Sequence, residues 1–329
     1  MNLPKISIVT PSFNQGNFLE ESILSVISQN YPNLEYIIID GGSEDSSVDI
    51  IKKYSSHINY WISKKDNGQS EAINKGFKRC TGDIVTWLNS DDCYLEGTFH
   101  KVAGHFAKGN FSLLYGKSIL FGQGRRERII GFSGKENVAL RCLAYVPFPQ
   151  PSTFFKRQVL LEQGYLDENL HYGLDHDLFV KMAMNYEIFG VDDVFSKYRY
   201  HEKGKSNFLT KFAEERIKVF SKVLRTFPGS NQLIQILKNI GYYSEGTDYY
   251  SVSKHFTLDD LKKAFIYFLE IQMHYYYLAL DKKNSKAIAA FLLHYKDQLI
   301  NRNDARKIYL RSLLLNRHLI SFARKFTQN

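Results

Sequence analysis

The first half of the chain alternates between apolar runs and amphipathic stretches, and no other feature constrains the fold as strongly. Apolar runs that predict buried strands occupy residues 6–9, 36–39, 58–62 and 82–88. Between the first two runs, Leu19, Ile23 and Val26 recur at helical spacing. Strands that alternate with helices predict a largely parallel sheet with helices packed on its faces.

The pattern changes from Leu113 onward. Short runs at 118–121 and 128–131 predict a hairpin, so the sheet is expected to become mixed. The last third shows only helical patterns. We therefore predict an α/β class fold, with a mixed sheet flanked by helices in a domain at residues 1–206. An all-helical domain is expected at residues 207–329.

Polar residues predict where several helices begin. Asn17 and Glu20 have the spacing of a capping box, and Ser43 stands where it would cap the next helix. Thr257 and Asn303 are expected to cap two helices of the C-terminal region. The four predicted caps, with Glu20 as the capping-box partner of Asn17, are the local evidence for the boundaries of the predicted helices.

Polar or glycine-containing segments follow all four predicted strands, at residues 10–14, 40–43, 66–69 and 89–92. In an open α/β sheet, ligands bind beyond the carboxyl ends of the strands. One such segment alone is an ordinary turn. Four of them at one edge of a sheet predict a binding site there.

The adjacent carboxylates of Asp91 and Asp92 point to a bound cation. Two such groups repel each other unless a positive charge lies between them and a partner, and a divalent cation that bridges to a diphosphate is a common solution. The chain has no G-x-G-x-x-G motif after its first strand and no G-x-x-x-x-G-K loop. Dinucleotide binding and P-loop hydrolysis therefore lose their main support, and we expect Mn²⁺ or Mg²⁺ to handle the phosphates.

Two further groups of residues carry candidate chemistry. Asp175 and Asp177 lie where a helix is expected to begin, a position that stabilises carboxylate anions. Asp175 is therefore a candidate general base, although an ordinary helix cap has the same signature. His201 ends a predicted strand and precedes Lys203 and Lys205. It is a candidate third metal ligand, and the two lysines could meet phosphate.

The charge is concentrated in the last third of the chain. The net charge is +9, and residues 207–329 hold 20 Lys+Arg against 10 Asp+Glu. This excess is typical of an amphipathic helical domain with solvated basic faces, and it also suits docking on an anionic membrane surface. Without a recognition motif, no nucleic-acid partner is expected.

The remaining composition favours a cytoplasmic protein. No apolar run is long enough to span a bilayer. The N-terminal residues run directly into a predicted strand, so no signal peptide is expected. The three cysteines are scattered, which suggests a reducing compartment. We therefore expect the cytoplasm, with docking at the inner face of the plasma membrane as an extension.

These motifs together resemble the family 2 inverting glycosyltransferases, which have the GT-A (Rossmann-like) fold. The resemblance covers about residues 5–206 and rests on VTPSFN at 9–14, IDGGS at 39–43, DNGQSEAINKG at 66–76 and WLNSDD at 87–92. QPSTF at 150–154 and DHDL at 175–178 are similar to the acceptor-side segments of that family. The family further suggests a bacterial role in cell-surface polysaccharide assembly.

The resemblance implies a role for each matching residue. Pro11 and Phe13 would flank the donor base, with Asn14 beside them, and Asp40 would hydrogen-bond that base, most often uracil. In the same way, the resemblance assigns Asp66 and Gln69 to the nucleotide and its phosphates, Asp91 to the ribose or sugar, and Asp92 to the metal. Asp175 takes the place of the catalytic base, with Asp177 as the backup assignment, because Leu174 stands where many members have glutamate.

The implied reaction moves a sugar from a nucleoside-diphosphate sugar, favoured as a UDP-sugar, to a hydroxyl of a glycan or lipid-linked acceptor. Two other functions stay open. A sugar-phosphate nucleotidyltransferase would also use an α/β sheet and acidic metal sites, but it would need a basic, glycine-rich loop where residues 10–14 stand. A degenerate sugar-binding scaffold would not need the intact aspartates at 40, 91, 92 and 175. The oligomeric state is not predicted.

Overall fold

A computed structural model describes residues 3–124, 126–132, 138–295 and 297–314. Within these ranges, nine strands form one sheet. The strands are β1 (Ile6–Ser12), β2 (Leu34–Asp40), β3 (Tyr60–Ser63), β4 (Ile84–Trp87), β5 (Cys93–Tyr94), β6 (Leu113–Gly122), β7 (Arg128–Ile130), β8 (Thr153–Lys156) and β9 (Ile188–Tyr200). Their order is β3-β2-β1-β4-β8-β6-β9-β5, with β7 paired to β6.

The sheet is mixed, as the sequence predicted. Strands β1, β2, β3 and β4 are parallel to one another, and β8 joins them antiparallel to β4. Strands β6 and β7 form the expected hairpin, and β9 runs parallel to β6. The parallel half therefore brings the carboxyl ends of four consecutive strands to one edge.

Twelve α-helices lie within the described ranges. They are α1 (Leu19–Ile27), α2 (Ser47–Lys53), α3 (Gln69–Phe77), α4 (Thr98–Lys108), α5 (Val138–Ala144), α6 (Arg157–Gln163), α7 (Leu174–Asn185), α8 (Leu209–Thr226), α9 (Asn231–Ile240), α10 (Leu258–Leu278), α11 (Lys282–His294) and α12 (Arg302–Leu314). The elements after α8 are all helical, which confirms the prediction for the C-terminal region.

The central strands are buried on both faces. All seven residues of β1 are buried, and alternate side chains enter different cores. Ile6 and Ile8 pack in one core with α1 and α4, whereas Val9 packs in the other with α3. The second core extends without a break into the C-terminal helices and includes Phe220 of α8. The helical region is thus built onto the sheet domain through a shared apolar core.

Three of the four predicted helix caps are wrong. Asn17 does not cap α1, because the helix begins at Leu19 and its N-cap residue is Phe18. The carboxylate of Glu20, the predicted capping-box partner, instead accepts hydrogen bonds from Lys53 Nζ at 2.6 Å and Tyr54 Oη at 2.7 Å. Ser43 does not cap α2, since it precedes the first residue of that helix by four positions. Its hydroxyl instead donates to Asp40 Oδ1 at 2.5 Å.

In the C-terminal region, Thr257 caps α10 in a full capping box with Asp260. Asn303 instead lies inside α12, where Asn301 Oδ1 accepts the hydrogen bond from Asp304 N at 3.1 Å. Among the described helices, none is both long enough and apolar enough to cross a bilayer.

Candidate active site

A cleft of about 1090 Å³ opens at the sheet edge where β1 to β4 end. All four strand-end segments contribute to its wall. The contributing residues include Pro11, Phe13, Gly41, Gly42, Asp66, Gln69, Asn89, Asp91 and Asp92. The structure therefore brings the four segments together at one edge of the sheet.

The entrance of the cleft combines an exposed ring with a partly buried carboxylate. The Phe13 side chain is 59% exposed, while Pro11, two residues earlier in the chain, is buried. Asp66 accepts a hydrogen bond from Gly68 N at 2.9 Å, and burial raises the pKa of its carboxyl group. A Cβ at Gly41 would lie only 3.0 Å from Asp66 Oδ2, so the glycine lets the two segments approach each other closely.

Asp40 and Asn14 lie beside the cleft, outside its wall. The fully buried Asp40 carboxylate accepts hydrogen bonds at Oδ2 from Gly42 N, Ser43 N and Ser63 Oγ at 3.1, 2.8 and 2.6 Å. Among the described residues, Oδ1 accepts from the Ser43 hydroxyl alone. Asp40 therefore shapes the loop after β2, and Oδ1 retains acceptor capacity.

Asn14 secures the same loop from the other side, because its Oδ1 accepts from Glu44 N at 2.9 Å. Its own backbone N–H donates to Ser43 Oγ at 2.7 Å. The segments after β1 and β2 are in this way tied to each other at the entrance.

Asp91, Asp92 and His201 meet at the floor of the cleft. His201 Nε2 donates to Asp91 Oδ2 at 2.9 Å, and Arg199 N donates to Asp92 Oδ1 at 2.9 Å. Asp92 is only 1% exposed. Burial and, to a smaller extent, the neighbouring Asp91 charge raise the pKa of Asp92 well above its ordinary value. A cation placed here would relieve both effects.

A chain of hydrogen bonds crosses the cleft from the fourth strand end to the segment after β9. Gln69 Nε2 donates to Asn89 Oδ1 at 2.7 Å, and Lys205 Nζ donates to Gln69 Oε1 at 2.7 Å. Lys205 Nζ also donates to the carbonyl of His171 at 2.9 Å. Residues 203–206 thus line the cleft as well and place a lysine ammonium against its wall.

Asp175 also lines this cleft, although it is distant in sequence from the four strand-end segments. It lies in the first turn of α7, whose N-cap is Gly173. Its Oδ1 accepts a hydrogen bond from His176 N at 2.8 Å. Burial raises the pKa of Asp175 to about 6, although that hydrogen bond and the Arg216 charge act in the opposite direction.

Asp177 lies elsewhere, outside the wall of the cleft. It is 1% exposed, its Oδ1 accepts a hydrogen bond from Tyr250 Oη at 2.6 Å, and its Oδ2 pairs with Lys181 Nζ at 2.8 Å. These contacts connect α7 to the segment before α10. The geometry therefore favours Asp175 over Asp177 as the group that can meet a substrate.

The part of the cleft around Asp175 is aromatic and apolar. Tyr172, Phe212 and Tyr275 line it, together with Ile130 and Phe148. The ring centroids of Tyr172 and Phe212 are 5.4 Å apart, and those of Phe212 and Tyr275 are 6.4 Å apart. Aromatic faces of this kind pack well against the apolar side of a ring-shaped ligand.

The acidic floor offers few protein ligands for a divalent cation. In the described ranges, no three His, Cys, Asp or Glu side chains are arranged as a metal-ligand cluster. Asp91 and Asp92 still offer two carboxylates at the cleft, and Mg²⁺-type ions commonly use one or two carboxylates plus substrate phosphates. The residues present therefore fit a cation that is held jointly by the protein and a diphosphate.

Sequence reasoning missed several residues of this site. Arg199 organises the acidic floor, since its Nε also donates to the carbonyl of Asp91 at 2.8 Å. Phe212 and Tyr275 come from α8 and α10, far along the chain. Arg199 could have been found from its place two residues before His201. The helical residues carry no local signal of a binding site.

Comparisons with known proteins agree with this architecture. Residues 7–160 match the model of glycosyl transferase family 2. The chain carries a family 2 glycosyltransferase domain. The chain is 26% identical over 236 residues to an uncharacterized glycosyltransferase of Rickettsia typhi, a match that covers 68% of this chain and 72% of that protein. It spans only about a third to a half of the length of several other relatives.

Two solved structures share the fold. TarS residues 1–349 from S. aureus, solved with UDP-GlcNAc, match with a TM-score of 0.58 and 18% identity, covering 94% of this chain and 89% of that one. The mannosyltransferase PcManGT from Pyrobaculum calidifontis, solved with GDP-Man and Mn²⁺, matches with a TM-score of 0.59 and 15% identity. That match covers all of this chain and 85% of the other. The GT-A prediction is confirmed.

Proposed function

We propose that this glycosyltransferase transfers a sugar from a nucleoside-diphosphate sugar, favoured as a UDP-sugar, to an acceptor hydroxyl with inversion. The observation that carries the proposal is the single cleft that holds the four strand-end segments together with Asp175. Among the described residues that line the cleft, Asp175 is the one aspartate outside those segments, and a donor bound across the strand ends would present its reacting carbon towards it. The related fold of two proteins solved with nucleotide sugars supports the donor class.

In this proposal the entrance binds the nucleoside. Phe13 is exposed enough to stack on a base, and Pro11 backs the same wall. Asp40 is fully buried beside the cleft, so its Oδ1 would accept a hydrogen bond from the base only if the loop after β2 moved. Asp66 and Gln69 lie further in and would meet the ribose and phosphates.

The acidic floor would hold a divalent cation. Asp92 would be its ligand, Asp91 would contact the ribose or sugar, and His201 is the further candidate that reaches the floor through Asp91. When bound, Mn²⁺ or Mg²⁺ would offset the charge that develops on the departing diphosphate. The Mn²⁺ in the mannosyltransferase of related fold supports this assignment.

Asp175 would act as the general base. Its pKa of about 6 lies just below neutral pH, so the carboxylate is mostly ionised there and is still basic enough to accept a proton from an attacking hydroxyl. The aromatic wall of Tyr172, Phe212 and Tyr275 next to it would hold the acceptor. Such a wall suits the apolar face of a sugar ring in a glycan or lipid-linked acceptor.

Asp175→Asn tests the proposal. The donor is first chosen from a panel of nucleotide sugars by its Mn²⁺-dependent rise in melting temperature, because a ligand that binds the native state stabilises it. The variant should bind that donor with unchanged affinity in calorimetry but lose at least about 100-fold in turnover. Asp177→Asn serves as the control and should keep turnover once its folding is verified. Normal turnover of Asp175→Asn would overturn the base assignment.

The two alternative functions give different outcomes in the same experiments. A nucleotidyltransferase would release pyrophosphate from a nucleoside triphosphate and a sugar 1-phosphate, and the segment 10–14 contains no basic residue to support this. A sugar-binding scaffold would show donor binding without consumption of any donor. Both outcomes are measured in the wild-type protein, before any variant is needed.

We also propose that the basic C-terminal helices dock on an anionic membrane, at the inner face of the plasma membrane. Helix α12 supports this, because charged and apolar side chains are exposed together on it: Arg306, Lys307, Leu310, Arg311 and Leu313. Of the tail residues on which the sequence argument relied, Arg317, Arg324 and Lys325 lie outside the described ranges.

Vesicle sedimentation tests the docking proposal. The protein should bind phosphatidylglycerol-rich vesicles at physiological salt and not bind pure phosphatidylcholine vesicles. Replacing Arg306 and Arg311 by glutamate should abolish the difference, since each basic residue near such a surface contributes about 1 kcal/mol. Equal sedimentation with both vesicle types, or with neither, would contradict the docking.

A further inference from the structure

A buried carboxylate of the helical region accepts hydrogen bonds from the backbone of the turn that precedes the proposed base. Glu215 of α8 is 8% exposed, and its Oε2 accepts hydrogen bonds from the backbone N–H groups of His171, Tyr172 and Gly173 at 3.0, 2.7 and 2.7 Å. Its Oε1 accepts from His171 N at 3.1 Å. Three consecutive amides of the chain thus converge on one side chain.

These hydrogen bonds fix the backbone at the start of α7. Gly173 is the N-cap of the helix and Asp175 is its second residue. The last amide that Glu215 binds therefore lies two residues before the carboxylate that lines the cleft. The approach is close, since a Cβ at Gly173 would lie 3.2 Å from Glu215 Cβ. A negative charge at this end of a helix is also favourable for the helix dipole.

The next residue, Arg216, provides the electrostatic part of the arrangement. It is 7% exposed and donates from Nη1 to Gln272 Oε1 at 2.8 Å. Its guanidinium carbon lies 4.1 Å from the ring centroid of Tyr275, which lines the cleft. Gln272 Nε2 in turn donates to the carbonyl of Ala213 at 2.9 Å. Helices α8 and α10 therefore hold the guanidinium in one place.

The charge of Arg216 bears on Asp175. Burial raises the pKa of the Asp175 carboxyl group, and the Arg216 charge lowers it, with Lys205 from the segment after β9 as a smaller influence. His176, the neighbour of Asp175, is neutral at physiological pH because burial and Arg216 lower its pKa to about 3. Glu215 is the other charged group that faces this turn, and its carboxylate is occupied by the three amides.

We propose that Glu215 and Arg216 are positioning residues for the catalytic step, so that the C-terminal helical region completes the active site. Glu215 fixes the backbone that carries Asp175, and the buried Arg216 guanidinium, held against the cleft residue Tyr275, provides a fixed positive charge at the wall of the same cleft. The inference rests on the proposed role of Asp175 as general base. It gives the helical region a function in catalysis that is independent of any membrane contact.

The positional part is tested by Glu215→Gln with Glu214→Gln as its matched control. Glu214 is the adjacent, exposed residue, and its partner is Lys211 at 3.4 Å. Glu215→Gln should lower kcat by about tenfold to 100-fold while donor affinity stays unchanged, because a small displacement of a reacting group is costly. Glu214→Gln should match the wild type. If Glu215→Gln does not fold, Glu215→Asp retracts the carboxylate by one methylene and provides the same readout. A wild-type kcat in a folded Glu215 variant overturns this part.

The electrostatic part is tested by the pH profile of kcat/KM in Arg216→Gln and Arg216→Lys. Loss of the charge should move the acidic limb upwards by roughly one pH unit, at the low end of the effect of a nearby opposite charge. Arg216→Lys keeps the charge and should leave the limb near its wild-type position. A merely structural role would lower the rate in both variants without moving the limb, and that result overturns the assignment.

Asp175→Asn separates failure of this inference from failure of the proposed function. If that variant has a wild-type kcat, the base assignment is wrong and the positioning roles of Glu215 and Arg216 are refuted as well. If Asp175→Asn is inactive while the Glu215 and Arg216 variants behave like the wild type, only the positioning inference is refuted.

Discussion

The raised pKa of Asp175 predicts an acidic limb in the pH dependence of sugar transfer. A base works only when it is deprotonated, so activity should be lost as the pH falls through the pKa of about 6. With that value, about nine-tenths of the carboxylate is ionised at pH 7 and about one-tenth at pH 5. We therefore expect kcat/KM to fall roughly tenfold over this interval.

The assay is the initial rate of nucleoside diphosphate release between pH 5 and pH 8, at donor concentrations well below KM. Donor affinity is measured by calorimetry at each pH, so that weaker metal or donor binding is not mistaken for protonation of the base. A carboxyl group with the ordinary aspartate pKa of about 3.9 would leave the rate nearly flat down to pH 5. A flat profile with unchanged donor affinity would refute the argument that burial tunes Asp175.

Three other predictions concern stability and metal use. Burial alone would raise the pKa of Glu35, but hydrogen bonds from β1 and from the turn before β4 lower it to about 2. The ionised Glu35 therefore stabilises the fold fully above about pH 4.5, and this stabilisation is lost as the pH falls towards 2. Glu35→Gln should lower the free energy of unfolding at pH 7 by about 2 kcal/mol and flatten this acid dependence, and urea titrations at several pH values check both effects. Gly76→Ala places a Cβ 2.3 Å from Val9 Cγ1 and should lower the free energy of unfolding by about 1–3 kcal/mol. Gly104→Ala in α4 meets no atom within 4 Å and should raise the free energy of unfolding by about 0.5–1 kcal/mol. Thermal unfolding that ranks the two variants in the opposite order would contradict the packing. Asp92→Asn should abolish the Mn²⁺-dependent part of the donor-induced rise in melting temperature, and a fully retained shift would exclude Asp92 as a ligand.

The sheet and its binding edge were predictable because their signals are local. The apolar run of β4 and the polar residues directly after it lie next to each other in sequence, and parallel pairing brings four such ends together. Asp91 and Asp92 are found from this pattern alone. Asp175 was assigned from its place at a helix start and from the family resemblance, and the structure puts it in the same cleft.

The helix boundaries were less predictable because polar side chains have competing partners. Ser43 has the chemistry of a cap, but the buried Asp40 carboxylate needs donors and takes its hydroxyl. Glu20 likewise pairs with Lys53 from α2. The sequence does not show which of these partners is near, since the choice depends on how separate elements pack.

The contribution of the C-terminal helices to the cleft had no sequence signal. Glu215 and Arg216 read as ordinary charged residues on an amphipathic helix, yet both are buried. Their partners at Gly173 and Gln272 lie more than 40 residues away in each direction. Only the shared apolar core, which packs α8 against α5, α7 and α10, brings them to the base.

Proton NMR of the reaction with an α-linked nucleotide sugar tests the central claim most directly. The spectrum follows consumption of the donor and the anomeric configuration of the first product, whether the sugar is transferred to a glycan acceptor or to water. One in-line displacement assisted by Asp175 predicts that the β-configured product appears first, and that Asp175→Asn forms none at a comparable rate. An α-configured first product, or no consumption of any donor that binds in the presence of Mn²⁺, would contradict the account.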